Sequence, residues 1–119
     1  MRRLSADTVF ITIVLTDHVP TDFDVYQPGK YAACIYDSNW YVGNIVERND
    51  EQHDVLVSFM KGTGSSLSWP RQEDKCWVPL QNMLCIIAVP AMQGQSGRQY
   101  TLSQRDNERI TILAQLRIA

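Results

Sequence analysis

Pro28-Gly-Lys-Tyr-Ala-Ala-Cys-Ile-Tyr-Asp-Ser-Asn-Trp-Tyr-Val-Gly-Asn-Ile-Val-Glu47 is the stretch on which the reading of the fold turns. Pro28-Gly29 is a turn signal. Tyr31 to Tyr36 and Trp40 to Arg48 are short runs of strand-forming residues on either side of Asp37-Ser38-Asn39, three residues that bond their own backbone or tolerate left-handed conformations. This pattern predicts an antiparallel hairpin. Past a second polar turn at Asn49 to Gln52, Val55 to Met60 supplies a third strand, Cys76 to Val78 a fourth and Leu84 to Val89 a fifth. Pro79-Leu80-Gln81-Asn82, between the last two, fits a single tight helical turn. Five short strands at this spacing predict a mostly β fold, a small antiparallel barrel. Candidates for its interior are Val42, Ile45, Val46, Val55, Leu56, Val57, Val78, Leu84 and Ile86.

Outward from that centre, Val9 to Thr16 alternates Val9, Ile11, Ile13 and Leu15 with Phe10, Thr12, Val14 and Thr16, which predicts an extra N-terminal strand. The acid- and turn-rich run Asp17 to Gly29 is its connector. On the other side, Lys61 to Lys75 reads as a long loop, Gly- and Ser-rich at first and containing Trp69-Pro70. Pro90 to Gly97 is flexible by composition. Ser103-Gln104-Arg105-Asp106 fits a capping box, and Ile110, Leu113, Ala114 and Arg117 follow at helical spacing, so a C-terminal helix is expected. The chain thus divides into an N-terminal strand and connector (1–27), a barrel (28–89), and a linker with helix (90–119).

A chain of 119 residues has room for one core, and 45% hydrophobic against 20% charged residues is the balance of a folding chain. A net charge of −2 argues against holding nucleic acid by phosphate neutralisation. Residues 98–119 carry a local +2, against −4 for the rest, too slight an asymmetry to change that. Cys34, Cys76 and Cys85 form no CxxC pair and are odd in number, a usage that best fits a reducing, intracellular setting. The apolar run after Arg2-Arg3 is broken by Thr12 and followed directly by Asp17 and His18, so it makes neither a signal peptide nor a membrane span. Catalysis is not expected. His18 and His53 stand in no metal-ligand spacing, no thiol has an identifiable base, and Gly62-Thr63-Gly64-Ser65-Ser66 lacks the phosphate-loop pattern.

The central stretch, taken with Asp54-Val-Leu-Val-Ser-Phe-Met60 and Cys76-Trp-Val-Pro-Leu-Gln-Asn-Met-Leu84, resembles the Tudor-like branch of the SH3-like barrels. In that group a Gly-containing turn leads to a strand ending in an aromatic, a polar turn precedes a second aromatic, and a Val-x-Val-x-aromatic strand follows. The resemblance covers about residues 28 to 88. It implies a non-catalytic module without cofactor that recognises methylated lysine or arginine in a peptide, such as a histone tail, through an aromatic cage. Such a module would be nuclear. Tyr36, Tyr41 and Phe59 match the cage positions, Trp40 is the neighbouring alternative to Tyr41, and Asp37 would hydrogen-bond a lower methylation state. The loop after Phe59 is longer than the family's and lacks its aromatic and its Asn or Asp, so Trp69 would fold back as the missing wall. Methylated cations are cheap to desolvate and ring faces are negative, so each well-placed ring contributes about 0.5 to 2 kcal/mol.

A second reading gives these aromatics to packing and the chain to protein–protein interaction or self-association. Exposed strand edges, the Trp69 loop, or Ile110, Leu113 and Ile118 of the helix would then meet the partner. Nucleic-acid binding ranks third.

Overall fold

The computed structural model describes residues 2–3, 23–94 and 97–118. The strand expected at Val9 to Thr16, the start of its connector and His18 lie outside the described residues.

The hairpin forms where the sequence places it, with β2 (Tyr31–Tyr36) paired to β3 (Asn39–Asn49) across the turn. Asp37 and Ser38 both take positive φ (52° and 65°), the mirror-image turn whose twist suits adjoining strands. β4 (Asp54–Phe59) lies on the far side of β3, and β7 (Lys75–Pro79) on the far side of β4. A 3-10 turn at Leu80–Asn82 reverses the chain into β8 (Met83–Ile87), which returns to pair with β2. Buried Asn82 fixes this reversal by donating to the Ile35 carbonyl at 2.7 Å. With β1 (Arg2–Arg3) parallel to β7, the sheet order is β1-β7-β4-β3-β2-β8. Among the described residues its outer strands do not pair with each other, so the expected closed barrel is seen as an open antiparallel sheet carrying one parallel edge strand.

Two stretches expected to be irregular form a second sheet. Within Lys61 to Lys75, β5 (Lys61–Thr63) and β6 (Ser66–Ser68) make a hairpin around Gly64-Ser65. Within Pro90 to Gly97, β9 (Ala91–Gln93) pairs with β10 (Gln99–Thr101), and the order is β5-β6-β10-β9. These strands are short and polar, but Leu67 is buried and brings the hairpin down onto the main sheet.

The main sheet is buried on both faces. One face carries Ala32, Cys34, Ile45, Val55, Val57, Phe59, Cys76 and Val78, covered by Phe23 of a 3-10 turn (Phe23–Val25) and by Tyr26. Arg48 pins this cover, since its guanidinium stacks 4.1 Å over the Phe23 ring and donates to the Phe23 and Tyr26 carbonyls at 3.2 Å each. The opposite face carries Ala33, Ile35, Val42 and Leu84 beneath Leu67, Leu102 and α1 (Gln104–Ile118). Ile110 and Leu113 pack here against the chain's own sheet, not outward as a partner surface would require. Of the expected interior residues, Val46 is exposed. Ile45 faces Val57 while Glu47 faces Leu56, so Val46 is the extra residue of a bulge and is turned to solvent. Ile86 is only partly buried.

The capping box forms by half. Ser103 Oγ accepts from the Asp106 backbone N–H at 3.1 Å, whereas the Asp106 carboxylate accepts from Ala88 N–H at 2.9 Å and ties the helix to the end of β8. One and three turns on, Arg109 donates to the Ile86 carbonyl and Arg117 to the carbonyls of Gln81 and Met83. The same helix face therefore supplies both apolar contacts and polar clamps.

Candidate functional site

Antiparallel register puts Tyr36, Tyr41 and Phe59 on one face at one end of the sheet. Tyr36 lies opposite Asn39 and Cys34 opposite Tyr41, so the two tyrosines are diagonal neighbours across β2 and β3. Phe59 lies opposite Gly43, diagonal to Tyr41 across β3 and β4. The Tyr41 and Phe59 rings meet edge to face, 6.1 Å between centroids at 76°. Phe59 is buried, whereas Tyr36 and Tyr41 stay 36% and 41% exposed, which is open for large aromatics in so small a domain.

These rings line a cleft of about 670 Å³ together with Trp40, Asn39, Met60, Asp74 and the residues of β5, over buried Cys34 and Cys76. The cleft arises where two strands part. Met60 N–H still donates to the Val42 carbonyl at 3.0 Å, and beyond it the chain leaves β3 to become β5 of the second sheet. Gly62 makes this departure possible. Its φ is +105°, and a Cβ there would collide with the Ser66 backbone across the hairpin.

Of the residues singled out from sequence, Tyr36, Trp40, Tyr41 and Phe59 are brought together. By strand alternation Trp40 belongs to the opposite face, and it packs beside the helix-covered cluster while reaching the cleft wall. Asp37 stands exposed in the turn and does not line the cleft. Trp69 lies against Tyr31, 6.4 Å between centroids, and is not part of the cleft. Asp74 was not anticipated. Its carbonyl accepts from Phe59 N–H at 2.8 Å, which makes it the cross-strand neighbour of Phe59 and brings its side chain to the same face. Only knowledge that residues 61–68 fold out as a hairpin would have pointed to it.

The cysteines are chemically quiet. Burial pushes the Cys34 thiol well above the ordinary value, and nearby Cys76 adds to the rise. Burial also raises Cys85, although Arg109 beside it pulls the other way. Burial raises the Tyr26 hydroxyl too, against the pull of Arg117 and Arg109. These groups stay neutral in the folded chain, so the stability tied to them is complete below the unfolded thiol value of about 8.5 and is lost as pH rises past it. Melting temperature should hold steady from about pH 6.5 to 8 and fall above about 9, with a shallower alkaline fall in Tyr26→Phe. Iodoacetamide should leave Cys34 unlabelled at neutral pH until the chain unfolds; rapid native labelling would contradict its burial.

Among the described residues no group of three His, Cys, Asp or Glu is placed to hold a metal ion, and no helix is long and apolar enough to cross a membrane. Compared with known proteins, the chain matches no family model, no curated protein and no solved structure.

Proposed function

We propose that the cleft between β3 and β5 binds a methylated lysine or arginine side chain of a basic peptide, as a Tudor-like module reading a histone tail in the nucleus would. The observation that carries this reading is the convergence of Tyr36, Tyr41 and Phe59 on one open cleft, two of the rings meeting edge to face. Ring faces attract a cation that has shed most of its hydration, and the two exposed tyrosines have no comparable structural need to remain open. The four-strand meander whose fifth strand returns beside the first also suits a curled SH3-like sheet. In this reading the carboxylate that meets the cation is that of Asp74, in place of Asp37, and Trp40 closes one side.

Peptide arrays that differ only in lysine and arginine methylation test this directly. Tyr36→Ala and Tyr41→Ala should each weaken binding about tenfold while the melting temperature falls far less than for a core aromatic, because both rings stay more than a third exposed. A large loss of stability would assign the tyrosines to packing, and affinity indifferent to methylation would remove the cage. Asp74→Asn keeps the shape and removes the charge. It should cost mono- and dimethyl ligands about tenfold, since their N–H groups can donate to a carboxylate, and leave trimethyl-lysine less affected.

A further inference from the structure

The cleft has a second recognition element besides its rings. β5 is an outer strand of the small sheet, and its other edge is hydrogen-bonded to no strand among the described residues. Lys61, Gly62 and Thr63 are all exposed, and all three line the cleft. Across the gap, β3 is in the same condition. Its pairing with β4 ends at Gly43 and Phe59, followed by the bond from Met60 to Val42, so among the described residues Asn39 to Tyr41 pair with β2 alone. Two strand edges that were neighbours as far as Met60 thus diverge around an aromatic-lined space. β5 is short and carries Lys61, two features that keep an open edge from indiscriminate pairing, and it borders the cleft that holds the rings.

Resting on the cage reading, we infer that the ligand peptide lies extended along β5 and adds a strand to the small sheet while its methylated side chain enters the cleft. A strand edge recognises main chain, so it selects an extended segment irrespective of sequence. The rings and Asp74 select the cation at one position of that segment. Successive side chains of a strand alternate in direction, so one side chain can point at the rings while its neighbours point away. A three-residue edge offers few main-chain bonds, which fits a weak, side-chain-dependent reader better than a permanent partner.

The test uses the full chain and short alanine- and threonine-rich peptides with one central dimethyl-lysine, in which each backbone amide is replaced in turn by N-methyl. Alternate amides should prove sensitive, each replacement weakening binding about fivefold to tenfold, and the amides between them indifferent. A flat scan with affinity still dependent on lysine methylation overturns strand addition and leaves the cage. The converse, an alternating scan with no dependence on lysine methylation, overturns the cage and leaves strand addition. Sedimentation across a concentration series supplies the remaining outcome: a dimer that excess peptide cannot dissociate, and that takes up no peptide, would give the edge to a second copy and overturn the assignment to a peptide.

Discussion

Gly43→Ala is expected to cost about 3 kcal/mol, enough to lower the melting temperature by roughly 10 °C or more. The reason is the approach of β4. A Cβ at Gly43 would stand 2.7 Å from Val57 Cγ1 and closer still to the Ser58 carbonyl oxygen, both buried and neither at the free end of a flexible chain. The strands would have to separate, and the register that sets Phe59 opposite Gly43 and diagonal to Tyr41 would loosen with them. Gly29→Ala is the control. Its φ of +92° disfavours a side chain, yet a Cβ would meet nothing within 4 Å, so only the backbone preference of about 1 kcal/mol is lost. Equal effects from the two substitutions in a thermal or urea melt would show that the β3–β4 contact is not tight. A Gly43→Ala protein that still folds should bind methylated peptide worse than its stability alone explains.

Arg117→Ala should be comparably damaging, by about 3 to 5 kcal/mol. Arg117 is 2% exposed at the last turn of α1, and its guanidinium bonds the Gln81 and Met83 carbonyls on either side of Asn82. Burial lowers its pKa from the ordinary value, but an arginine so perturbed stays protonated at any physiological pH. Truncation removes a long buried stem and orphans two carbonyls at the turn that reverses the chain into β8. Arg117→Met separates the two effects. It restores the stem and leaves the carbonyls unpaired, so it should recover about half of the loss in urea unfolding. Full recovery would mean that the side chain acts as volume alone.

Much of the architecture was legible because it rests on local chemistry. The turn at Asp37 to Asn39, the strand-forming runs of β2 and β4, the helical turn at Leu80–Asn82 and the cap at Ser103 are each written in a few neighbouring residues. What could not be read depends on contacts distant in sequence. β5, β6, β9 and β10 are three residues each and mostly polar, without enough alternation to signal a strand, and the second sheet they form packs through Leu67 and Tyr100 against the main one. Val46 misled because a bulge shifts strand parity, which no hydrophobic pattern reveals. At the cleft, Tyr36, Tyr41 and Phe59 fall together by strand parity and could be foreseen. Trp69 lies instead tilted against Tyr31, and Asp74 reaches the cleft because a hairpin is inserted before it.

The run from Asp54 to Thr63 serves two sheets in succession and passes between them at Met60. Cleft width is therefore set by the angle between the two sheets, like the jaws of a calliper joined at Met60 to Gly62. If the cleft takes a methylated cation as proposed, a bulkier one should strain the far side of the small sheet, where Leu67 and Leu102 close the helix-covered core. Amide exchange in β6 and β10 should accordingly respond to what fills the cleft, although neither strand touches it.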